Sequence, residues 1–93
     1  MESAVQYPVV LARIEDSWQL GFLVEKMADG NQAVYVPGSP NPLSGSVYFM
    51  SDDRIRATPI PMHVAMKCLR QLGAGSASLL HDPGALRWQD RGD

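Results

Sequence analysis

Three prolines within six residues constrain this chain more than any other feature of its sequence. They lie in the segment 37–45, which reads PGSPNPLSG. Proline fixes its own φ at about −65°, lacks a backbone N–H and pushes the preceding residue into an extended conformation. We therefore predict a stiff loop that exposes carbonyl oxygens without matching donors. Gly38 and Gly45 permit backbone conformations closed to other residues.

The loop lies within an uncharged stretch whose length suggests a membrane span. Residues 30–51 contain no charged side chain, and a membrane-spanning helix needs about 20 apolar residues. The stretch also contains the three prolines and several glycines and serines. No helix tolerates that density of proline, and lipid would leave its backbone groups unsatisfied. We predict that it does not span a membrane.

The overall composition favours one small globular domain and excludes several classes of protein. The chain has 93 residues, of which 45% are apolar and 19% charged, which is too hydrophobic for an intrinsically disordered protein. Its single cysteine excludes an internal disulfide framework. The formal net charge of −2 leaves no basic excess to follow a phosphate backbone, so we predict no nucleic-acid partner.

Short apolar runs separated by turn residues indicate strands in the first two thirds of the chain. Apolar and polar positions alternate over residues 18–24, a pattern typical of a half-buried strand. Asp-Gly-Asn at 29–31 is a strong turn signal. We predict about five strands, at residues 9–12, 18–24, 33–36, 46–50 and 54–58, with a further turn at 51–53.

One amphipathic helix follows the strands. Its apolar positions have the spacing of a single helical face: Met62, Ala65, Met66, Leu69 and Leu72. Pro61 suits the first helical position, and Gly73 suits a C-terminal cap. We therefore predict an α+β fold, with a small, mostly antiparallel β-sheet of about five short strands followed by one main C-terminal helix. Residues 1–75 form the single domain, and residues 76–93 form a weakly structured C-terminal tail.

The sequence contains no catalytic or metal-binding pattern. His63 and Cys68 are five positions apart, about 140° around a helix, so they do not form a nucleophile–base pair within it. Asp52 and Asp53 adjoin in a predicted turn, and no ligand spacing such as CxxC or HxxxH occurs. We predict no enzyme, cofactor or metal. The alternative is a small-ligand or enzymatic domain built from polar residues of separate strands. A closed apolar pocket containing His63, His81 or the acidic turn would favour it.

The loop residues also carry a resemblance to a known family. Their spacing resembles the P-x-x-P-N-P-x-S-G signature of the continuous-vascular-ring-like (COV-like) membrane proteins, a family catalogued as a domain of unknown function. The matching residues are Pro37, Pro40, Asn41, Pro42, Ser44 and Gly45. Residues 9–11 and 18–22 resemble the family's V-V-L and W-x-L-G-F segments, and residues 34–36 resemble its V-F-V strand. The similarity extends over about residues 9–75.

The resemblance implies a membrane-anchored protein. Members of the family carry two transmembrane helices ahead of this region, and this sequence contains none. We therefore expect attachment to a membrane only through segments absent from this chain, with the domain itself in water on the cytoplasmic side. The resemblance supplies no catalytic residue and no known small molecule.

These observations predict a non-enzymatic interaction or assembly domain whose partner is another protein or a second copy of the chain. A stiff loop suits this role because rigidity lowers the ordering cost of binding. The candidate binding residues are Pro37, Pro40, Asn41, Pro42, Ser44 and Gly45, supported by Trp18 and Phe22. The other interpretation, in which the loop is only a rigid crossover between two strands, stays open.

Overall fold

A computed structural model describes residues 6–80 of the chain. Its strands are β1 (Val9–Ile14), β2 (Ser17–Lys26), β3 (Asn31–Pro37), β4 (Gly45–Ser51) and β5 (Ile55–Ala57). A short 3-10 helix, Asp52–Arg54, lies between β4 and β5. Two α-helices follow, α1 (Met62–Arg70) and α2 (Ser76–Leu79).

The five strands form one antiparallel sheet in the order β4-β3-β2-β1-β5. The predicted α+β fold, with a small antiparallel sheet before one main helix, is confirmed. The predicted fifth strand is shorter than expected, because Arg54 belongs to the 3-10 helix and only Ile55–Ala57 pairs with β1. The turn predicted at 29–31 is present, since the Asn31 N–H donates to Asp29 Oδ1 over 2.9 Å and Gly30 has a φ of 93°.

Strand β2 contains a bulge and pairs with different neighbours along its length. Residues 17–22 pair with β1, and residues 22–26 pair with β3. The register shifts between Leu23 and Glu25, a bulge that bends the strand and increases its twist.

The bend gives the sheet an inner face that carries its own apolar cluster. The buried members of this inner cluster are Val10, Ala12, Val34, Val36 and Met50, with Ile14, Leu23 and Ile55 packed against them. They come from all five strands, and none belongs to α1 or α2. Over residues 6–80, the strands therefore enclose this cluster by their own curvature.

Gly21 allows the inner cluster to close across β2. It pairs with Val10 of β1, and a Cβ at this position would lie 2.8 Å from Val34 Cγ1 and 3.3 Å from the Tyr35 carbonyl oxygen. The space that a side chain would fill is taken by Val34, which is fully buried. The strand predicted to be half-buried is thus buried on both faces at Gly21 and Phe22.

The opposite face of the sheet, which we call the helix face, packs against α1. Its cluster contains Val9 and Phe22 from the sheet, Ile60 from the connection, and Met62 and Ala65 from the helix. These five residues are each at most 7% exposed. The predicted apolar stripe of α1 is therefore the side that contacts the sheet, at least over its first turns.

Thr58 and Pro61 direct the chain from β5 into α1. The Thr58 hydroxyl donates to the Val9 carbonyl over 2.8 Å and accepts from the Ile60 N–H over 3.2 Å. Pro61 is the N-cap of α1, because its backbone is extended, with a ψ of 151°. The prediction that Pro61 is the first helical residue is therefore wrong by one position. Its carbonyl accepts the first helical hydrogen bonds, a role that needs no N–H.

Helix α1 ends in a left-handed turn. The Leu72 N–H donates to the Leu69 carbonyl over 3.1 Å, and the Gly73 N–H donates to the Cys68 carbonyl over 2.8 Å, the hydrogen bonds of a Schellman motif. Leu72 occupies the left-handed position, with a φ of 60°, and is 75% exposed. The prediction that Leu72 lies on the buried stripe is therefore wrong, because the helix ends at Arg70.

The segment after α1 is tied back to it through Ser76. The Ser76 hydroxyl donates to the Gly73 carbonyl over 2.6 Å and lies 3.4 Å from the sulfur of buried Cys68. Leu79 and Leu80 then pack on the helix-face cluster. Of the C-terminal tail predicted over residues 76–93, residues 76–79 form α2, and residues 81–93 lie outside the described part of the chain.

We expect Gly21→Ala to lower the free energy of unfolding by about 1–3 kcal/mol, because the added methyl group overlaps a buried, stiff valine and a backbone carbonyl. Urea denaturation would measure the change. Gln19→Ala, at an exposed position of the same strand, is the matched control and should stay within about 0.5 kcal/mol of the original protein. Equal stability of the Gly21 variant and the control would contradict the packing described above.

We expect Leu72→Gly to raise the free energy of unfolding by about 0.5–1 kcal/mol. Glycine removes the steric cost of a left-handed residue, and the lost side chain is mostly exposed. Leu72→Ala keeps a Cβ in the same conformation and should leave stability nearly unchanged. Thermal denaturation of both variants separates the backbone effect from loss of the side chain; a stabilised alanine variant would contradict it.

Candidate functional site

The proline-rich segment is a β-hairpin loop whose two ends belong to the sheet. Pro37 and Gly45 pair with each other at the ends of β3 and β4. Residues 38–44 form the loop proper, and the Ser39–Pro40 peptide bond is cis. The loop connects neighbouring strands, so the interpretation as a crossover is corrected to a hairpin connection.

Asn41 organises the tip of the loop. Its side-chain oxygen accepts from the Leu43 N–H over 3.1 Å, and its carbonyl accepts from the Ser44 N–H over 3.1 Å. Asparagine side chains commonly fix turns through such a hydrogen bond to the backbone two residues ahead. The turn places Leu43 outward, where it is 82% exposed.

Tyr35 holds the loop against the sheet. Its hydroxyl donates to the Pro42 carbonyl over 2.8 Å, and Pro42 is buried. The ring of Tyr35 stacks on that of Phe22, with centroids 6.5 Å apart. Phe22, a predicted supporting residue, therefore lies beneath the side chain that carries the loop and does not itself face solvent.

Ser39 joins the loop to the helix. Its hydroxyl donates to the Leu69 carbonyl over 2.6 Å. Leu69 lies in the last turn of α1, and its carbonyl also accepts from the Leu72 N–H at the end of the helix. The loop is thus fixed to both layers of the fold, through Tyr35 on the sheet and Ser39 on the helix.

The structure refines two expectations about the loop. Its carbonyls do not all lack donors, because those of Asn41 and Pro42 accept hydrogen bonds. Gly38 and Gly45 do not have positive φ values. Close packing requires glycine at both positions. A Cβ at Gly38 would overlap the Ser44 carbonyl oxygen, and a Cβ at Gly45 would overlap the Val36 carbonyl oxygen.

The structure divides the candidate binding residues into an inner and an outer set. Pro37, Pro42 and Phe22 are buried and support the loop. The residues that reach the surface are Pro40, Asn41, Ser44 and Gly45, together with Leu43 at the tip. The outer set forms what we call the loop tip, which spans residues 40–45 with Pro42 buried within it.

Trp18 lies at the end of the β1–β2 hairpin and not under the loop tip. Arg13 and Arg56 stand over its ring, with guanidinium carbons 5.6 and 4.8 Å from the ring centroid. These distances are those of cation–π contacts. We therefore assign Trp18 to the packing of the helix face beside β1 and β5.

Sequence reasoning missed Tyr35, Ser39 and Leu43. At the level of sequence, Tyr35 belongs only to the strand predicted at residues 33–36, and Ser39 and Leu43 are variable positions of the motif. The sequence did contain a signal for Leu43, because the other residues of the segment 37–45 are proline, glycine or polar. No sequence signal connects Ser39 with Leu69, because 30 residues separate them.

The residues considered for catalysis do not come together. His63 is exposed on α1, and Cys68 is buried on another side of the same helix. Asp52 accepts a hydrogen bond from the Gln32 side chain. Among residues 6–80, no group of three or more His, Cys, Asp or Glu side chains is placed to hold a metal ion. His81 lies outside the described residues.

An open groove of about 390 Å³ lies between the tip of the β1–β2 hairpin and the end of β4. It is lined by Arg13, Ile14, Glu15, Asn31, Tyr48, Phe49, Met50, Ser51 and Arg54. None of the candidate catalytic residues within residues 6–80 lines it. Its walls mix apolar and polar side chains without a convergent reactive group.

Comparison with known proteins adds no relative. No family model matches the chain, and no curated protein or solved structure matches it either. The resemblance to the COV-like family therefore rests on the residues quoted above. Among the described residues, no helix has the length and apolar character needed to cross a bilayer.

We expect Tyr35→Phe to lower the free energy of unfolding by about 1–2 kcal/mol, because it leaves the part-buried Pro42 carbonyl without its donor. Tyr48→Phe removes a hydroxyl from a more exposed tyrosine of the next strand and is the matched control. It should change stability by less than about 0.5 kcal/mol. Guanidinium denaturation compares the two; equal losses would show that Tyr35 contributes no more than a surface tyrosine.

Proposed function

We propose that this chain is a non-enzymatic protein-interaction domain and that its loop tip, residues 40–45, is the recognition surface. One observation carries the proposal: Leu43 is 82% exposed at the end of a loop that is fixed on both sides. Large apolar side chains on a soluble surface are unremarkable singly, but a rigid support makes this one suited to binding.

The rigidity comes from contacts that do not use the exposed surface. Tyr35 and Ser39 hold the loop from below, and Asn41 shapes its tip from within. Leu43 and Pro40 are left to contact a partner. A partner would therefore order few additional residues on binding, and an apolar anchor entering a pocket is the usual centre of such an interface.

The partner class we propose is another protein. The loop tip has no charged residue, which suits neither a phosphate backbone nor an anionic headgroup. Anchorage of a longer protein in a membrane, with this domain on the cytoplasmic side, is also part of the proposal. Its support is the resemblance of the P-x-x-P-N-P-x-S-G residues to the COV-like family.

The alternative of a small-ligand or enzymatic domain gains no support from the described residues. The groove beside β4 is open, and it contains neither His63 nor the Asp52–Asp53 turn, whose presence in a closed pocket would favour this alternative.

Affinity capture with the full chain tests the loop tip directly. We expect Leu43→Asp to reduce capture of the partner by roughly tenfold or more, because loss of a central apolar anchor commonly costs at least about 2 kcal/mol. Met27→Asp is the matched control, since Met27 is an exposed apolar residue of a different turn. Quantitative mass spectrometry compares the proteins retained by the original chain and both variants.

Equal retention by all three chains would contradict the proposal and leave the loop with an architectural role alone. Pro40→Ala and Asn41→Ala supply a second comparison, because they loosen the loop while keeping Leu43. If these two variants lost stability but kept every partner, rigidity of the loop would not be needed for recognition. Urea denaturation of each variant confirms that it is folded under the capture conditions.

A further inference from the structure

Strand β4 forms one outer edge of the sheet. It pairs with β3 on one side, and within residues 6–80 no strand pairs with its other side. An edge of this kind presents backbone N–H and C=O groups in the spacing that another extended strand requires. The backbone of β4 therefore specifies the form of its partner, a β-strand.

Strand β4 exposes apolar side chains, whereas edge strands usually carry residues that prevent pairing with another chain. Val47 is 57% exposed and Phe49 is 68% exposed. Both lie on the helix face, because they pair with Tyr35 and Ala33 of β3. Soluble proteins commonly protect such edges with lysine, proline or a bulge, and β4, with the sequence GSVYFMS, contains no charged residue or proline.

The sequence of β4 matches itself when two copies run antiparallel. With Tyr48 opposite Tyr48 of a second copy, Val47 lies opposite Phe49 of that copy, and Phe49 lies opposite its Val47. A two-fold axis also brings any charged residue near it close to its own copy, which repels it. Residues 30–51 carry no charge, so this repulsion is absent from β4 and from the adjoining β3.

We infer that two copies of this chain associate through β4, in an antiparallel pairing whose two-fold axis passes through Tyr48. The inference is independent of the function proposed for the loop tip, since it uses β4 and leaves Leu43 and Pro40 outside the paired strands. The result is a continuous ten-stranded sheet with β5 at each end.

The exposed area predicts that this association is weak. A phenylalanine buries roughly 150–250 Å² when covered, and Phe49 starts 68% exposed. Two phenylalanines, two valines and the paired backbone together remain below the roughly 1,200 Å² of a standard interface. We expect a dissociation constant in the range of roughly 10–1,000 µM, so that the dimer forms only at high protein concentration.

The first test is sedimentation equilibrium of the full chain over this concentration range.

Charged substitutions test the register. Val47→Lys and Phe49→Glu each place a charge opposite an apolar residue of the second copy, and each should weaken the dimer by roughly tenfold or more. In the double variant Val47→Lys/Phe49→Glu, the positive charge at position 47 lies opposite the negative charge at position 49 of the second copy, at two symmetry-related places. The dissociation constant of its dimer should be at least roughly tenfold lower than that of either single variant.

Rescue by the double variant supports the proposed register, because a pairing with another strand or another surface does not bring residues 47 and 49 together. Met27→Lys, on an exposed turn, is the control and should dimerise like the original chain. A monomer at every concentration overturns the inference. So does a dimer that both single variants leave unchanged, or one that they abolish without rescue. Circular dichroism of each variant verifies that the fold is retained.

Discussion

The close packing of Val34 against Gly21 supplies the interior on which the rest of the structure is built. A chain of this size has only one long helix within its described residues to cover a sheet, and that helix packs on one face. The other face is enclosed because β1 and β3 approach across Gly21, where Val34 takes the space of the missing side chain. One residue without a side chain therefore allows a single sheet to bury apolar residues on both faces.

The loop takes its position from this arrangement. Tyr35 lies next to Val34 and Val36 on β3, and because side chains alternate along a strand, it points to the helix face when its neighbours point inward. Its hydroxyl then reaches the Pro42 carbonyl. The packing of α1 on the same face brings Leu69 to Ser39. The loop is rigid because two layers hold it, in addition to its prolines.

The same hairpin presents two different chemistries at its surface. The loop tip offers an isolated apolar side chain on a fixed support, which suits a pocket on a different protein. The following strand offers a backbone edge with two apolar side chains, which suits another strand. Because the loop tip and β4 differ in contact chemistry, the two proposals made for them are independent of each other.

Local patterns predicted the α+β class and the order of the elements. The helix stripe beginning at Met62 and the turn at Asp29–Asn31 are examples, because periodicity and turn preference depend on neighbouring residues. The same reasoning misplaced Leu72 at the end of α1, since the end of a helix depends on where its contacts with the sheet stop. It related Gly38 and Gly45 to conformational freedom, whereas the structure shows that both are required by the close approach of another backbone segment.

The sequence by itself determined that residues 37–45 form a stiff, uncharged connection between strands, because proline acts on the backbone locally. Only the tertiary structure decided which of these residues face solvent. Pro42 is buried and Leu43 is exposed because Tyr35 and Leu69, residues distant along the chain or on another element, anchor the loop from one side. The exposed edge of β4 was likewise set by the strand order, which depends on pairings between residues far apart in sequence.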